Sequence, residues 1–247
     1  MSRSLPRWFA HRGGGSAAPE NTLAGLRLAA RLGYRAVEFD VMLSADGTPV
    51  LIHDETLERT TNGTGRVADT PDERLFRLDA GNGERIPRLS EAAAVCREYG
   101  LLANVEIKPS SGCELRTGEV VAEQVAALWR GAAVQPLLSS FSLDALARAA
   151  EVAPNIDRGL LFENVPADWI TYKERLQAIS LHCDASLVSD TVLADAQHHG
   201  VPVLCYTVNR PEQAKSLIER GVSAFFTDNL AGFGSETTAY KALHLGR

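Results

Sequence analysis

Apolar residues in this chain fall in short runs, separated by stretches where they recur every third or fourth position. The first pattern fits strands buried on both faces, the second amphipathic helices. The runs predict strands at Trp8–His11, Ala36–Leu43, Leu102–Ile107, Leu137–Phe141, Arg158–Phe162, Ile179–Cys183, Pro202–Val208 and Ala224–Thr227. Helices are predicted near residues 21–32, 90–99, 118–130, 143–152, 168–178, 190–199 and 211–220. Asn21, Ser90, Ser142 and Asn209 stand where N-caps are expected, and Pro211 falls in a first turn. Gly33, Gly100, Gly200 and Gly221 follow helix ends, as left-handed cap residues do. Strands alternating with helices describe either a doubly wound sheet or a closed barrel. The 247 residues shared among eight units give about 31 per unit. That spacing favours the α/β class and a (β/α)8 TIM barrel occupying the whole chain, 1–247, as a single domain.

One segment departs from the rhythm. Pro49 to His53 reads as a short extra strand paired with the second strand, with Asp46-Gly47 in the turn. A small insertion follows, approximately residues 54–88, rich in turn formers such as Asp79-Ala-Gly-Asn-Gly83. A long loop in a compact domain is usually functional, and one leaving a strand's C-terminal end would cover a barrel's catalytic face.

Polar residues gather at the C-terminal ends of the first three strands. They are His11-Arg12, Glu38-Phe-Asp40, Glu106-Ile-Lys108 and, after the extra strand, His53-Asp54. Side chains alternate along a strand, so Glu38 and Asp40 share a face, as do Glu106 and Lys108. The segment around Glu38 and Asp40 is otherwise apolar, and two buried carboxylates need a cation or a basic partner. Three carboxylates from adjacent strands suit a hard divalent ion, Mg²⁺ or Ca²⁺; Arg12 and Lys108 are the alternative partners. His11 and His53 are acid–base candidates near neutral pH. Zinc held by the two histidines is the rival chemistry, disfavoured by the excess of oxygen ligands. Phe141 and Tyr206, near strand ends, fit either core or substrate contact. His182 reads as a hydrogen-bonded core residue. Gly13-x-Gly15-x-x-Ala18 imitates a dinucleotide fingerprint, but Pro19 stands where the helix should already be running.

Composition sets limits. A hydrophobic content of 45% excludes intrinsic disorder. Lys and Arg number 25 against 31 Asp and Glu, for a net charge of −6, so no basic footprint for nucleic acid exists. No apolar stretch approaches the length of a membrane span, so no membrane insertion is expected. Pro6 and Arg7 interrupt the start where a signal peptide needs an apolar run. Cys96, Cys113, Cys183 and Cys205 form no C-x-x-C pair, which argues against zinc and against a disulfide framework. A reduced, cytoplasmic protein is the expectation.

The ordered motifs resemble the glycerophosphodiester phosphodiesterase family, in its short cytosolic bacterial branch. They run His11-Arg-Gly13, Pro19-Glu-Asn-Thr22, Glu38-Phe-Asp40, Asp46-Gly-Thr-Pro-Val-Leu-Ile-His53-Asp54, Leu57-Glu-Arg-Thr-Thr61 and Leu78-Asp-Ala-Gly81. Ile86-Pro87, Asn104-Val-Glu-Ile-Lys108, Ser139-Ser-Phe141, Tyr206-Thr-Val-Asn209 and Thr227-Asp228 continue the series nearly to the end. The resemblance implies a barrel that hydrolyses a small-molecule glycerophosphodiester substrate to glycerol 3-phosphate and an alcohol. It implies a divalent metal on Glu38, Asp40 and Glu106, acid–base roles for His11 and His53, and phosphate contacts from Arg12 and Lys108. The seventh-strand aromatic, commonly Trp in the family, is Tyr206 here. A lipid-directed phospholipase would show an apolar or basic rim or a signal peptide, and the sequence displays neither. A silent phosphodiester sensor would have lost one of the key residues, and all are present. The head group and whether a homo-oligomer forms are left open.

Overall fold

A parallel strand in a closed barrel is covered inside by its neighbours and outside by helices, so it is apolar almost throughout. The computed structural model describes residues 5–233, and Met1 to Ser4, part of the leader reading, lie outside them. Nine strands form one sheet: β1 (Trp8–Ala10), β2 (Ala36–Leu43), β3 (Pro49–Leu51), β4 (Leu102–Ile107), β5 (Leu137–Ser140), β6 (Asp157–Phe162), β7 (Ser180–Asp184), β8 (Val203–Tyr206) and β9 (Ala224–Thr227). All but β3 pair in parallel in chain order, and β1 bonds to both β2 and β9, which closes the barrel. β3 lies antiparallel on the C-terminal end of β2, with Val41 opposite Leu51. This is the (β/α)8 TIM barrel that the alternation predicts.

The surrounding helices are α1 (Leu23–Arg31), α3 (Leu89–Tyr99), α4 (Glu114–Leu128), α5 (Leu143–Val152), α6 (Trp169–Leu176), α7 (Asp190–His198), α8 (Pro211–Glu219) and α9 (Leu230–Phe233); α2 (Asp72–Leu75) is a single turn inside the insertion. Several boundaries differ from expectation. The extra strand ends at Leu51, β8 is shorter than Pro202–Val208, and α4 starts at Glu114 rather than 118. Ser142 caps α5 as predicted, accepting from Ala145 N. Thr22 rather than Asn21 caps α1, Arg88 rather than Ser90 precedes α3, and Arg210 rather than Asn209 precedes α8. Both asparagines are drawn to the barrel mouth instead.

Period two sorts each strand between two cores. Outward residues such as Val37, Phe39 and Val41 join the helices in the main core. Inward residues Phe9, Ala36, Leu102, Leu137, Leu204 and Phe226 plug the barrel's interior. The next inward positions on β2 and β4 are therefore the polar ones, at the open end. The insertion packs its own core, Leu57, Val67, Leu75 and Ile86, against Met42, Val50 and Ile52 of the hairpin segment.

α4 and α5 cross at Gly118, where an added Cβ would sit 2.2 Å from Ala145 O. Helix propensity favours Ala over Gly by about 1 kcal/mol, whereas overpacking costs about 1–3 kcal/mol. Gly118→Ala is therefore expected to lower stability in urea unfolding, and a gain would refute the close contact.

Candidate active site

Register assembles the acids. Asp40 on β2 stands opposite Glu106 on β4, and Glu38 opposite Asn104. One carboxylate oxygen from each of Glu38, Asp40 and Glu106 lies within 4.8 Å of the others. Glu38 is pushed well above its ordinary 4.5 by burial, then by Asp40 and Glu106. Glu106 is pushed up to about 8 by burial and by Asp40, against the pull of Lys108 and Arg12. Glu38 Oε2 accepts from Arg12 N at 2.9 Å, but its buried Oε1 has no hydrogen-bond partner. An orphaned buried oxygen beside two crowded carboxylates fits a divalent cation, whose ligands are hard oxygens.

The neighbouring loops are shaped to serve this cluster. Asn21 adopts a left-handed backbone (φ 56) and clasps Asp40, donating Nδ2 to Oδ2 at 2.9 Å and accepting from Asp40 N at 3.1 Å. Arg12 is also left-handed (φ 49), a conformation that costs a non-glycine residue about 1 kcal/mol. The turn is held because Arg12 N reaches Glu38 and Arg12 O accepts from Asn21 N at 2.8 Å. Arg12 Nε lies 3.9 Å from Asp40 Oδ2, and Lys108 Nζ lies 3.5 Å from Asp40 Oδ1.

Each histidine is held at Nδ1 by an aspartate. His11 Nδ1 lies 2.7 Å from Asp228 Oδ1, and Asn209 donates to the other oxygen of Asp228 at 3.0 Å. Burial raises Asp228, yet the hydrogen bond and charge of His11 leave it below its ordinary value. His53 Nδ1 lies 2.6 Å from Asp54 Oδ1. Asp54 is held well below the carboxylate range, first by Arg59 and then, against burial, by His53. Burial pushes His53 below 6.5 despite Asp40 and Asp54. His11 Nε2 is left 3.8 Å from Glu38 Oε2.

These groups surround a cleft of about 150 Å³. His11, Arg12, Glu38, Asp40, His53, Glu106, Phe141 and Tyr206 all line it, and Lys108 joins through Asp40. Phe141 is 48% exposed and meets the Tyr206 ring edge-on at 5.9 Å. Tyr206 donates its hydroxyl to Phe162 O at 2.9 Å, which anchors the ring in the cleft wall. His182 bonds Ser180 Oγ at 2.9 Å and lies at the floor, fully buried, as its core reading predicts.

The acids also set a pH dependence. A carboxyl whose pKa is raised by folding contributes stability below its unfolded value, and that stability is lost as pH rises through the folded value. Glu38 and Glu106 start from 4.5, and Glu106 reaches about 8. His53 and His182, both lowered from 6.5 by burial, act in the opposite sense at lower pH, so the Tm of the metal-free protein is expected to fall from about pH 6.5 to about pH 8. A Tm flat across that window would contradict the crowding.

The glycerophosphoryl diester phosphodiesterase family model matches residues 11–231. The chain belongs to that family. A glycerophosphodiester phosphodiesterase from Caldanaerobacter subterraneus subsp. tengcongensis is 35% identical over 229 residues, covering 90% of this chain and 93% of the relative. One from Bacillus altitudinis is 33% identical over 236 residues, covering 91% and 95%. A solved Oleispira antarctica phosphodiesterase, in complex with the product sn-glycerol-3-phosphate, superposes with a TM-score of 0.86 at 38% identity, over 91% of this chain and 94% of that one. This protein is thus an enzyme of a family that hydrolyses glycerophosphodiesters. No helix among the described residues is long and apolar enough to cross a membrane.

Five side chains at the site carried no role in the sequence reading: Glu20, Asp54, Arg59, Asp228 and Asn21, the last taken for a cap. Asp54 had a usable signal, since it follows His53 directly. Asp228 stood in the Thr227-Asp228 motif, but nothing in the sequence tied it to His11, because barrel closure brings the two together.

Proposed function

We propose that the enzyme cleaves glycerophosphodiesters to glycerol 3-phosphate and an alcohol with Mg²⁺ or Ca²⁺ held by Glu38, Asp40 and Glu106. The observation that carries this reading is one cleft shared by three crowded carboxylates and two aspartate-held histidines. The product found in the Oleispira relative supports the glycerol 3-phosphate half. When bound, a divalent cation supplies positive charge to the phosphate oxygens.

The chain's own residues do the rest. Arg12 and Lys108 bind the phosphate and offset the charge that develops on it. His53, kept neutral at pH 7 by its lowered pKa, takes the proton of the attacking hydroxyl, either water or the substrate's glycerol 2-hydroxyl. His11 protonates the leaving alkoxide, a poor leaving group that needs an acid. Asp54 and Asp228 fix the two rings so that Nε2 faces the reaction. Phe141 and Tyr206 flank the substrate. The four cysteines are free thiols, which suits a reduced, cytoplasmic setting.

Release of glycerol 3-phosphate from glycerophosphocholine, with and without EDTA, tests the reading. Metal-dependent release is expected; release undiminished by the chelator would remove the metal from the proposal.

A further inference from the structure

The insertion returns one side chain to the cleft edge. The Arg59 guanidinium lies between two carboxylates and forks to both. Nη1 and Nη2 donate to Glu20 Oε2 and Oε1, each at 2.7 Å. Nε and Nη2 donate to Asp54 Oδ2 and Oδ1 at 2.5 and 3.0 Å. Each carboxylate also holds a group of the site. Glu20 Oε1 accepts from Arg12 Nη1 at 3.0 Å, and Asp54 Oδ1 holds His53 Nδ1 at 2.6 Å. An unbroken chain of hydrogen bonds therefore runs Arg12, Glu20, Arg59, Asp54, His53.

We propose that Arg59 and Glu20 are positioning residues that lock Arg12 and His53 into one unit, so that the insertion completes the active site. The inference rests on the roles given above to Arg12 and His53. The Arg59 side chain is 47% exposed, where a single ion pair contributes little to folding; a bidentate network can contribute more, so a kcat-against-KM split is what separates positioning from stability. What the double fork does fix is direction. A planar guanidinium meeting two carboxylates side-on leaves neither free to rotate, which a lysine's point charge cannot achieve. Glu20 sits in the loop after β1, whereas Asp54 and Arg59 open the insertion after β3, so two separate segments are tied at one ion. Apart from Glu20, the Arg12 guanidinium has a looser contact, Nε to Asp40 Oδ2 at 3.9 Å, beyond hydrogen-bond reach.

Steady-state kinetics on glycerophosphocholine with Mg²⁺ test the inference. Misplacing a catalytic group by about 1 Å can cost about 100-fold, so Arg59→Ala should lower kcat/KM by about that factor, through both constants. Glu20→Gln, which weakens only the Arg12 side, should act chiefly on KM. Asp54→Asn, which acts on the His53 side, should act chiefly on kcat. Arg59→Lys should recover little, because charge returns without the fork. Free guanidinium at a sub-denaturing concentration should partly restore Arg59→Ala and leave His53→Ala unchanged. Circular dichroism and Tm close to those of the unmutated protein are expected for the near-isosteric Glu20→Gln and Asp54→Asn, which keeps the split readable if Arg59→Ala folds poorly. The inference is overturned if Arg59→Ala keeps normal kcat/KM while Arg12→Ala and His53→Ala lose theirs. A full rescue by Arg59→Lys, or the same kcat and KM change in Glu20→Gln and Asp54→Asn, would overturn it too. If Arg12→Ala and His53→Ala themselves stay active, the functional reading has failed first and the positioning role falls with it.

Discussion

Glu38→Gln is expected to abolish hydrolysis and, at the same time, to make the metal-free protein more stable. The variant keeps an oxygen to accept the Arg12 N–H but removes one of three crowded negative charges. A cation site stabilises a phosphoryl transition state by several kcal/mol, so losing it should lower kcat/KM by about 10³-fold or more. The stability effect has the opposite sign, because Glu38 and Glu106 are both raised by burial and by mutual repulsion with Asp40. Relief of order 1 kcal/mol would raise Tm by about 2–4 °C in a chain of this size. The gain should be larger near pH 8 than near pH 5, because a carboxyl whose pKa is raised by folding costs stability as pH rises. Parallel scanning calorimetry and activity assays check both halves. A variant that loses activity and also loses Tm at pH 8 would mean that Glu38 serves folding rather than a cation. Asp40→Ala should abolish activity too, without the same gain, because Asn21 loses its hydrogen-bond partner.

The sequence made the barrel legible because parallel strands are apolar on both faces. Against that background Glu38 and Asp40 stand out: two acids in a strand buried at all eight positions. His11, His53, Glu106 and Lys108 were legible for the same reason, as polar residues closing apolar runs. What escaped is what depends on closure and on loops meeting in space. Asp228 lies 217 residues from His11, and only the β1–β9 pairing makes them neighbours. Asn21 and Asn209 read as caps because Asn is a favoured N-cap, and distant partners, Asp40 and Asp228, drew both side chains away. Arg59 stood in a turn-rich segment with no periodicity to mark it. Asp54 is five residues away in the same insertion, but Glu20 comes from the loop after β1, so no local pattern could join the three.

His11→Ala and His53→Ala should each lower kcat on glycerophosphocholine by about 10²–10⁴-fold while leaving divalent-metal binding, read by calorimetry, near normal. Neither ring is among the three carboxylates that would hold the ion, which is why binding and turnover should separate. The two losses can also be told apart by the leaving group. An alkoxide needs a proton as it departs, whereas a nitrophenolate does not. On a nitrophenyl phosphodiester, an enzyme lacking its acid should work nearly as well as the unmutated one, and an enzyme lacking its base should stay slow. His11→Ala is therefore expected to be rescued by the activated substrate, and His53→Ala is not. The reverse pattern would exchange the two roles, and near-normal kcat for both variants on glycerophosphocholine would end the acid–base assignment. Asp228→Asn provides an internal control. It keeps a side chain 2.7 Å from His11 Nδ1 but offers no charge and can reverse the ring tautomer. Its loss should follow that of His11→Ala, with the same rescue by the better leaving group.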